Sequence, residues 1–247
     1  MTERQQLTPV VFLDFDGTIT RRDAIDAILE EYADPQWLAI EEEWRAGRIG
    51  SRQCLSAQMQ LVRATQSELD ALLDTIEVDE GFPVLLETCE AHQATAHIIS
   101  DGFDYCIRRI LARRGRPSAA HCLDRMRICS SHLEPAGAKG GPSGWRVEFP
   151  FFPQPCAHGC ATCKPAVMQW LNSAGAPTVF VGDGLSDRYA ALQGDLIFAK
   201  QSLATYCREQ RIAYLAYDNL GEVAARLDDI LRAGALDRAE EVTTIAT

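Results

Sequence analysis

Val10-Val11-Phe12-Leu13-Asp14-Phe15-Asp16-Gly17-Thr18 begins with four apolar residues and, past Leu13, sets two acids, a glycine and a hydroxyl around Phe15. A short unbroken apolar run is how a strand reads when both its faces are buried, as in the middle of a parallel sheet. Acids and a glycine at its carboxyl end mark the place where such sheets carry a functional loop. Runs at 96–99, 178–181 and 196–199 look the same; helical patterns at 102–114 and 166–173 lie between them, and another at 202–210 follows the last. Strands alternating with helices predict an α/β fold, a Rossmann-like, doubly wound and mostly parallel sheet.

Between the first two of these strands the chain has no strand signal. Segments 23–33, 35–46, 51–62 and 67–76 read as four short helices, with start signals at Asp34-Pro35 and Ser67-Glu68 and breaks at Gly47 and Gly50. An insertion directly after the first strand falls over that strand's carboxyl end, so a helical cap is expected. The expected division is 1–20 and 81–247 for the α/β core and 21–80 for the cap. Segments 126–130 and 145–149 should pair as a hairpin across a Pro/Gly/Ser-rich loop at 135–144, expected to be exposed and mobile. An amphipathic helix at 218–233 should close the fold, with the last dozen residues fraying.

The chain has 247 residues, 47% hydrophobic and 24% charged, the balance of a globular protein able to bury a core without disulfides. A net charge of −11 with no long basic run argues against nucleic acid. An acidic protein acting on an anion must concentrate positive charge locally, through a metal or a few placed cations. No apolar stretch reaches the ~18 residues of a membrane span. The segment before the first strand is short and polar, so a cytoplasmic location is expected. Nothing in the pattern specifies an oligomeric state.

Ligands bind at the carboxyl ends of strands in doubly wound sheets. The first strand ends in Asp14 and Asp16, the second in Ser100, Asp101 and Gly102, the third in Gly182, Asp183, Gly184 and Asp187, and Lys164 precedes the helix leading into the third. Asp14-Phe15-Asp16-Gly17-Thr18, Ser100, Lys164 and Gly182-Asp183-Gly184-Leu185-Ser186-Asp187, in that order, resemble the four motifs of the haloacid dehalogenase-like hydrolase superfamily.

The resemblance implies a Mg²⁺-dependent phosphatase acting on a small phosphorylated metabolite. Asp14 would be the nucleophile, forming an aspartyl phosphate, and Asp16 the general acid and base. Asp14 and Asp183 would bind Mg²⁺ by side chain and Asp16 by its backbone carbonyl. Lys164 would supply a point charge, and Ser100 Oγ and the Gly102 N–H would hold phosphoryl oxygens, with Gly17 and Thr18 also in the phosphate-binding set and Gly17 permitting the tight turn there. Asp187 would orient either metal-bound water or Lys164. A dehalogenase has no alkoxide to protonate, which would leave Asp16 superfluous. A phosphomutase shares the acid pair, and a non-catalytic binding domain of the same fold is the reading from another class.

The insertion resembles the phosphoserine-phosphatase-like branch. Cys156-Ala157-His158-Gly159-Cys160-Ala161-Thr162-Cys163-Lys164-Pro165 resembles a narrower group, which holds the methionine-salvage phosphatase acting on 2-hydroxy-3-keto-5-methylthiopentenyl 1-phosphate and, more distantly, phosphoethanolamine and phosphocholine phosphatases. That salvage enzyme usually has Ser-Gly-Gly where this chain has Ser100-Asp101-Gly102, and the extra acid resembles the phosphocholine type. Asp23 sits where phosphoserine phosphatases place an acid that meets the substrate's ammonium; it is equally suited to capping a helix.

Of nine cysteines, Cys54, Cys89, Cys106 and Cys207 read as small buried hydrophobes. Cys156, Cys160 and Cys163 cluster, and with His158 or Cys129 they offer ligands for a structural Zn²⁺; the plainer reading is reduced thiols packing a loop. His97 should be a core residue, and His92, His121 and His132 surface residues.

Overall fold

A computed structural model of the chain describes residues 8–113, 126–135, 144–153, 156 and 158–237. The first strand, β1 (Val10–Leu13), is buried throughout. Its side chains alternate between two cores: Val11 and Leu13 join one apolar cluster, Val10 and Phe12 the other. Each such side chain contributes roughly 1.5–3 kcal/mol by leaving water.

The other strands are β2 (Thr95–Phe103), β3 (Ile128–Pro135), β4 (Trp145–Glu148), β5 (Thr178–Gly182), β6 (Leu196–Ala199) and β7 (Leu215–Ala216). They form one sheet in the order β4-β3-β2-β1-β5-β6-β7, parallel except for β4, which pairs antiparallel with β3. β1 lies between β2 and β5, so the strand order reverses beside it and a crevice opens at its carboxyl end.

Four helices follow β1: α1 (Ala24–Tyr32), α2 (Trp37–Arg45), α3 (Ser51–Met59) and α4 (Gln66–Leu73). Asp23 caps α1, and a Thr65/Glu68 capping box starts α4. The chain leaves for this insertion and returns from it side by side. Thr20 and Val78 form an antiparallel bridge, flanked by hydrogen bonds from Arg21 N to Glu77 O (2.9 Å) and Asp79 N to Ile19 O (2.8 Å). The buried faces of α1 and α4 belong to the same apolar cluster as Val11 and Leu13.

Helices α5 (Phe82–Ala91), α6 (Asp104–Ala112) and α10 (Leu220–Arg232) also pack into that cluster. The opposite face takes α7 (Lys164–Leu171), α8 (Arg188–Ala191) and α9 (Gln201–Gln210). Helices on both faces make the sheet doubly wound.

Several boundaries differ from the sequence reading. β2 runs on to Phe103, because after a register shift Phe103 still pairs with Ser131, and the helix expected from 102 starts at Asp104. β3 covers Ile128–Pro135 rather than 126–130, since His132 to Pro135 are the residues that pair with β4. The sequence reading does not anticipate α5 or β7. The interior of the expected loop 135–144, His121 and most of the tail expected to fray lie outside the described residues. Among the described residues no helix is long and apolar enough to cross a membrane.

Candidate active site

Lys164 opens α7 and points its ammonium into the crevice beyond β1. Its Nζ lies 2.8 Å from Asp14 Oδ1 and 2.5 Å from Asp187 Oδ1, with the lysine side chain only 1% exposed. Asp187 sits on the turn after β5, where its Oδ2 accepts the N–H groups of Asp183 and Gly184, each at 3.0 Å. Thr18 Oγ1 donates to Asp183 Oδ1 at 2.7 Å. Carboxylate oxygens of Asp14, Asp183 and Asp187 come within 4.8 Å of one another.

Glycine makes this crowding possible. Gly17 has φ +74°, and a Cβ there would lie 2.4 Å from Asp183 Oδ2. A Cβ on Gly102 would lie 2.3 Å from Asp16 Oδ2. Asp16 reaches toward the start of α1, its Oδ1 accepting the Ala24 N–H at 2.8 Å. The Gly102 N–H donates to Ser100 Oγ at 3.0 Å.

The electrostatics are those of acids packed more closely than they tolerate. Burial, then the neighbouring Asp187, pushes the Asp14 carboxyl well above the ordinary range against the opposing pull of Lys164. Burial, then Asp23, does the same to Asp16. Asp183 is pushed up to about 6 by burial and Asp187. Burial pulls Lys164 down, but Asp14, Asp187 and Asp101 outweigh it and hold the ammonium above its usual value. One buried cation faces several buried acids. The surplus negative charge, presented entirely on oxygen, fits a hard dication such as Mg²⁺.

A cavity of about 410 Å³ rises from these groups to the insertion. Asp14, Asp16, Ser100, Gly102 and Asp183 form its floor, and Asp23, Asp26, Glu41, Trp44, Arg45 and Gln58 line its far side. Asp23 caps α1 through the Ile25 and Asp26 N–H groups and lines this cavity as well. Asp101 is largely committed elsewhere. Its carboxylate accepts the Thr162 N–H at 2.9 Å and the Ser51 hydroxyl, and Ser51 Oγ in turn accepts the Trp44 indole N–H at 3.1 Å.

Apart from Asp23, sequence reasoning missed that far wall, because α2 has no buried residue to mark its orientation. It missed Tyr217 too, whose buried hydroxyl donates to Gly182 O and lies 3.4 Å from Thr18 Oγ1. The signal available was the short apolar run Leu215-Ala216-Tyr217 before Asp218.

Of the five residues considered for zinc, the structure brings together three, Cys156, Cys160 and Cys163. His158 does not join them: it is exposed and its ring stacks on Tyr189, centroids 3.8 Å apart. Cys129 is on β3, buried in the second apolar cluster. The described cysteines are all free thiols, and Cys54, Cys89, Cys106 and Cys207 are buried as expected. His97 is a buried strand residue whose Nδ1 accepts the Arg127 N–H, and burial lowers its basicity. His92 and His132 are paired with Asp228 and Asp104, each at 2.8 Å, away from the cavity.

Residues 11–192 match the family model described as haloacid dehalogenase-like hydrolase. The 2-hydroxy-3-keto-5-methylthiopentenyl-1-phosphate phosphatase of Bacillus pumilus (strain SAFR-032) is 25% identical over 225 residues, which cover 90% of this chain and 92% of the relative. The protein of the same name from Lysinibacillus sphaericus (strain C3-41) is 28% identical over 217 residues, 84% of this chain and 89% of the relative. Among solved structures, a phospho-aspartyl intermediate analogue of phosphoserine phosphatase aligns with a TM-score of 0.65 at 16% identity, covering 93% of this chain and 99% of that one. A substrate-bound phosphoserine phosphatase aligns with a TM-score of 0.62 at 17% identity, covering 94% and 99%.

Proposed function

The chain belongs to the haloacid dehalogenase-like hydrolase family, and from that premise we propose that it is a Mg²⁺-dependent phosphatase that hydrolyses a small phosphate monoester through a phosphoaspartate on Asp14. The observation that carries this reading is the buried Asp14–Lys164–Asp187 chain beside Asp183, with Asp14 and Asp183 on the floor of a cavity of metabolite size.

Asp14 attacks phosphorus; the new P–O bond forms as the ester P–O bond breaks. Asp16, whose raised pKa favours the neutral form, gives its proton to the departing alkoxide. It then takes a proton from the water that attacks the phosphoaspartate, which releases phosphate and restores Asp14. Lys164 holds Asp14 in place and balances phosphoryl charge, and Asp187 holds Lys164. Ser100 Oγ and the Gly102 N–H receive the phosphoryl oxygens. Asp14, Asp183 and the Asp16 carbonyl would hold Mg²⁺, which would supply the positive charge that lets a carboxylate approach a phosphate dianion.

Residues 21–80 act as the cap over residues 1–20 and 81–247, with the paired strands at 19–21 and 77–79 as its neck. For the substrate, the curated relatives support 2-hydroxy-3-keto-5-methylthiopentenyl 1-phosphate. A second reading has its own observation: Asp23, Asp26 and Glu41, beside Trp44, face the cavity with Arg45 as the cation among them. That wall suits a cationic head such as that of phosphocholine or phosphoethanolamine.

Two measurements test the proposal. Borohydride added during turnover should reduce the phosphoaspartate, and peptide mass spectrometry should find homoserine at position 14. Free phosphate should appear with Mg²⁺ and stop with a chelator. A phosphomutase would release none, and modification at any other carboxylate would remove Asp14 from the reaction. Comparing kcat/KM for the salvage ester, phosphocholine, phosphoethanolamine and phosphoserine then separates the two substrates.

A further inference from the structure

The cysteine loop that runs into Lys164 is not used by the phosphoryl chemistry, yet its geometry is specific. The sulfurs of Cys156, Cys160 and Cys163 lie within 4.8 Å of one another. Three sulfurs at Cys-x₃-Cys-x₂-Cys spacing, converging from one short loop, form a soft-ligand set that space-filling alone does not require.

We propose that Cys156, Cys160 and Cys163 form a second metal site, for a soft or borderline divalent cation of the Zn²⁺ type, separate from the carboxylate centre. Zn–S bonds of ~2.3 Å in tetrahedral geometry put sulfurs about 3.8 Å apart, so the three need close by no more than about 1 Å. Three sulfurs leave a fourth position, which water or a small exogenous thiol fills. Mg²⁺ does not compete here, because it prefers oxygen ligands.

The site's place in the fold gives it a task. Cys163 directly precedes Lys164 and accepts no other duty in the crevice; its N–H donates to Phe151 O at 2.7 Å. Thr162, between the second and third thiols, donates its N–H to Asp101 next to Ser100. Gly159, between the first two, accepts the Arg52 N–H at 3.1 Å and abuts Gly50 so closely that a Cβ on Gly50 would lie 2.5 Å from its oxygen. An ion on these sulfurs therefore pins one loop that touches Lys164, the Ser100 turn and the start of α3. It is a positioning site.

The test uses the whole chain, purified in reductant and loaded with Zn²⁺ alone. One equivalent of tightly held zinc is expected by elemental analysis, and competition against a zinc indicator should show at least ~10-fold weaker binding in Cys156→Ser, Cys160→Ser and Cys163→Ser. Asp183→Asn should keep its zinc. Substituted Co²⁺ should give the intense visible absorption of a tetrahedral thiolate site. A variant-free readout guards against misfolding: zinc on the wild-type protein should shield residues 156, 160 and 163, and not the other cysteines, from alkylation. Less than a tenth of an equivalent, or equal alkylation with and without zinc, overturns the site. So does zinc lost in Asp183→Asn but kept in the cysteine variants. None of these readouts depends on phosphatase activity, so the site and the proposed reaction can fail separately.

Discussion

The floor and the far wall of the same cavity are built by opposite rules. Behind the floor, Lys164 and Asp187, which hold Asp14 and the Asp183 turn, are fully buried and held by strand ends, a helix start and backbone N–H groups. On the wall, α2 buries no residue, and Glu41 is held by Arg45 at 3.0 Å and Gln58 at 3.0 Å. Groups that do chemistry need their geometry held by the core. Groups that choose a substrate can sit on a surface helix, where a substitution changes affinity without endangering the fold.

The largest effect should come from the floor. Asp14→Asn is expected to lower phosphate release from p-nitrophenyl phosphate with Mg²⁺ by at least ~10⁴-fold, as loss of a nucleophile does elsewhere. Equal rates in variant and wild type would refute the nucleophile assignment. Asp16→Asn should cost about 10²–10⁴-fold with alkyl phosphates. It should cost much less with p-nitrophenyl phosphate, whose leaving group needs little protonation; a uniform loss would sink the acid role.

Asp183 tests the cost of crowding. Its carboxyl is raised to about 6 in the fold, so the folded protein binds protons more readily than the unfolded chain. Without divalent cations this contribution to stability is complete below the ordinary carboxylate range and lost as pH rises through about 6. Calorimetry in chelator should therefore show Tm falling from pH 5 to pH 7.5. Asp183→Asn should recover roughly 5 °C at the higher pH. A metal-free Tm that rises over this range would contradict the assignment.

The smallest effect belongs to the wall. Glu41→Gln should raise KM for an amine-bearing ester about 10-fold and leave p-nitrophenyl phosphate turnover within about twofold. Its Tm should stay within about 2 °C of wild type. Equal changes for both esters would remove the case for a cationic substrate.

The same contrast explains what was legible in the sequence. Asp14, Asp16, Ser100 and Asp183 follow apolar runs that periodicity marks as strands, while Ser100 and above all Lys164 stood out only through the family's motif order. The four inserted helices were readable because apolar spacing and the Asp34-Pro35 and Ser67-Glu68 signals are local, though the cap of the fourth proved to be Thr65, two residues earlier. Glu41, Trp44 and Arg45 are ordinary surface residues until folding turns α2 toward the crevice. Tyr217 depends on a two-residue strand, β7, too short for alternation to register. The two roles weighed for Asp23 proved compatible in geometry, because a helix cap here is also a cavity wall.

The position of β1 in the sheet also has a consequence for synthesis. It pairs on one side with β2, which starts at Thr95, and on the other with β5, which starts at Thr178. At about 5–20 residues per second, the second of these neighbours leaves the ribosome roughly 10–30 s after β1 does. For that interval an apolar strand waits with an open edge, and the loop bearing Asp14 has no Lys164 to neutralise it. The order of translation thus leaves the central strand half-paired for a time, which opens the nascent chain to chaperone capture or aggregation.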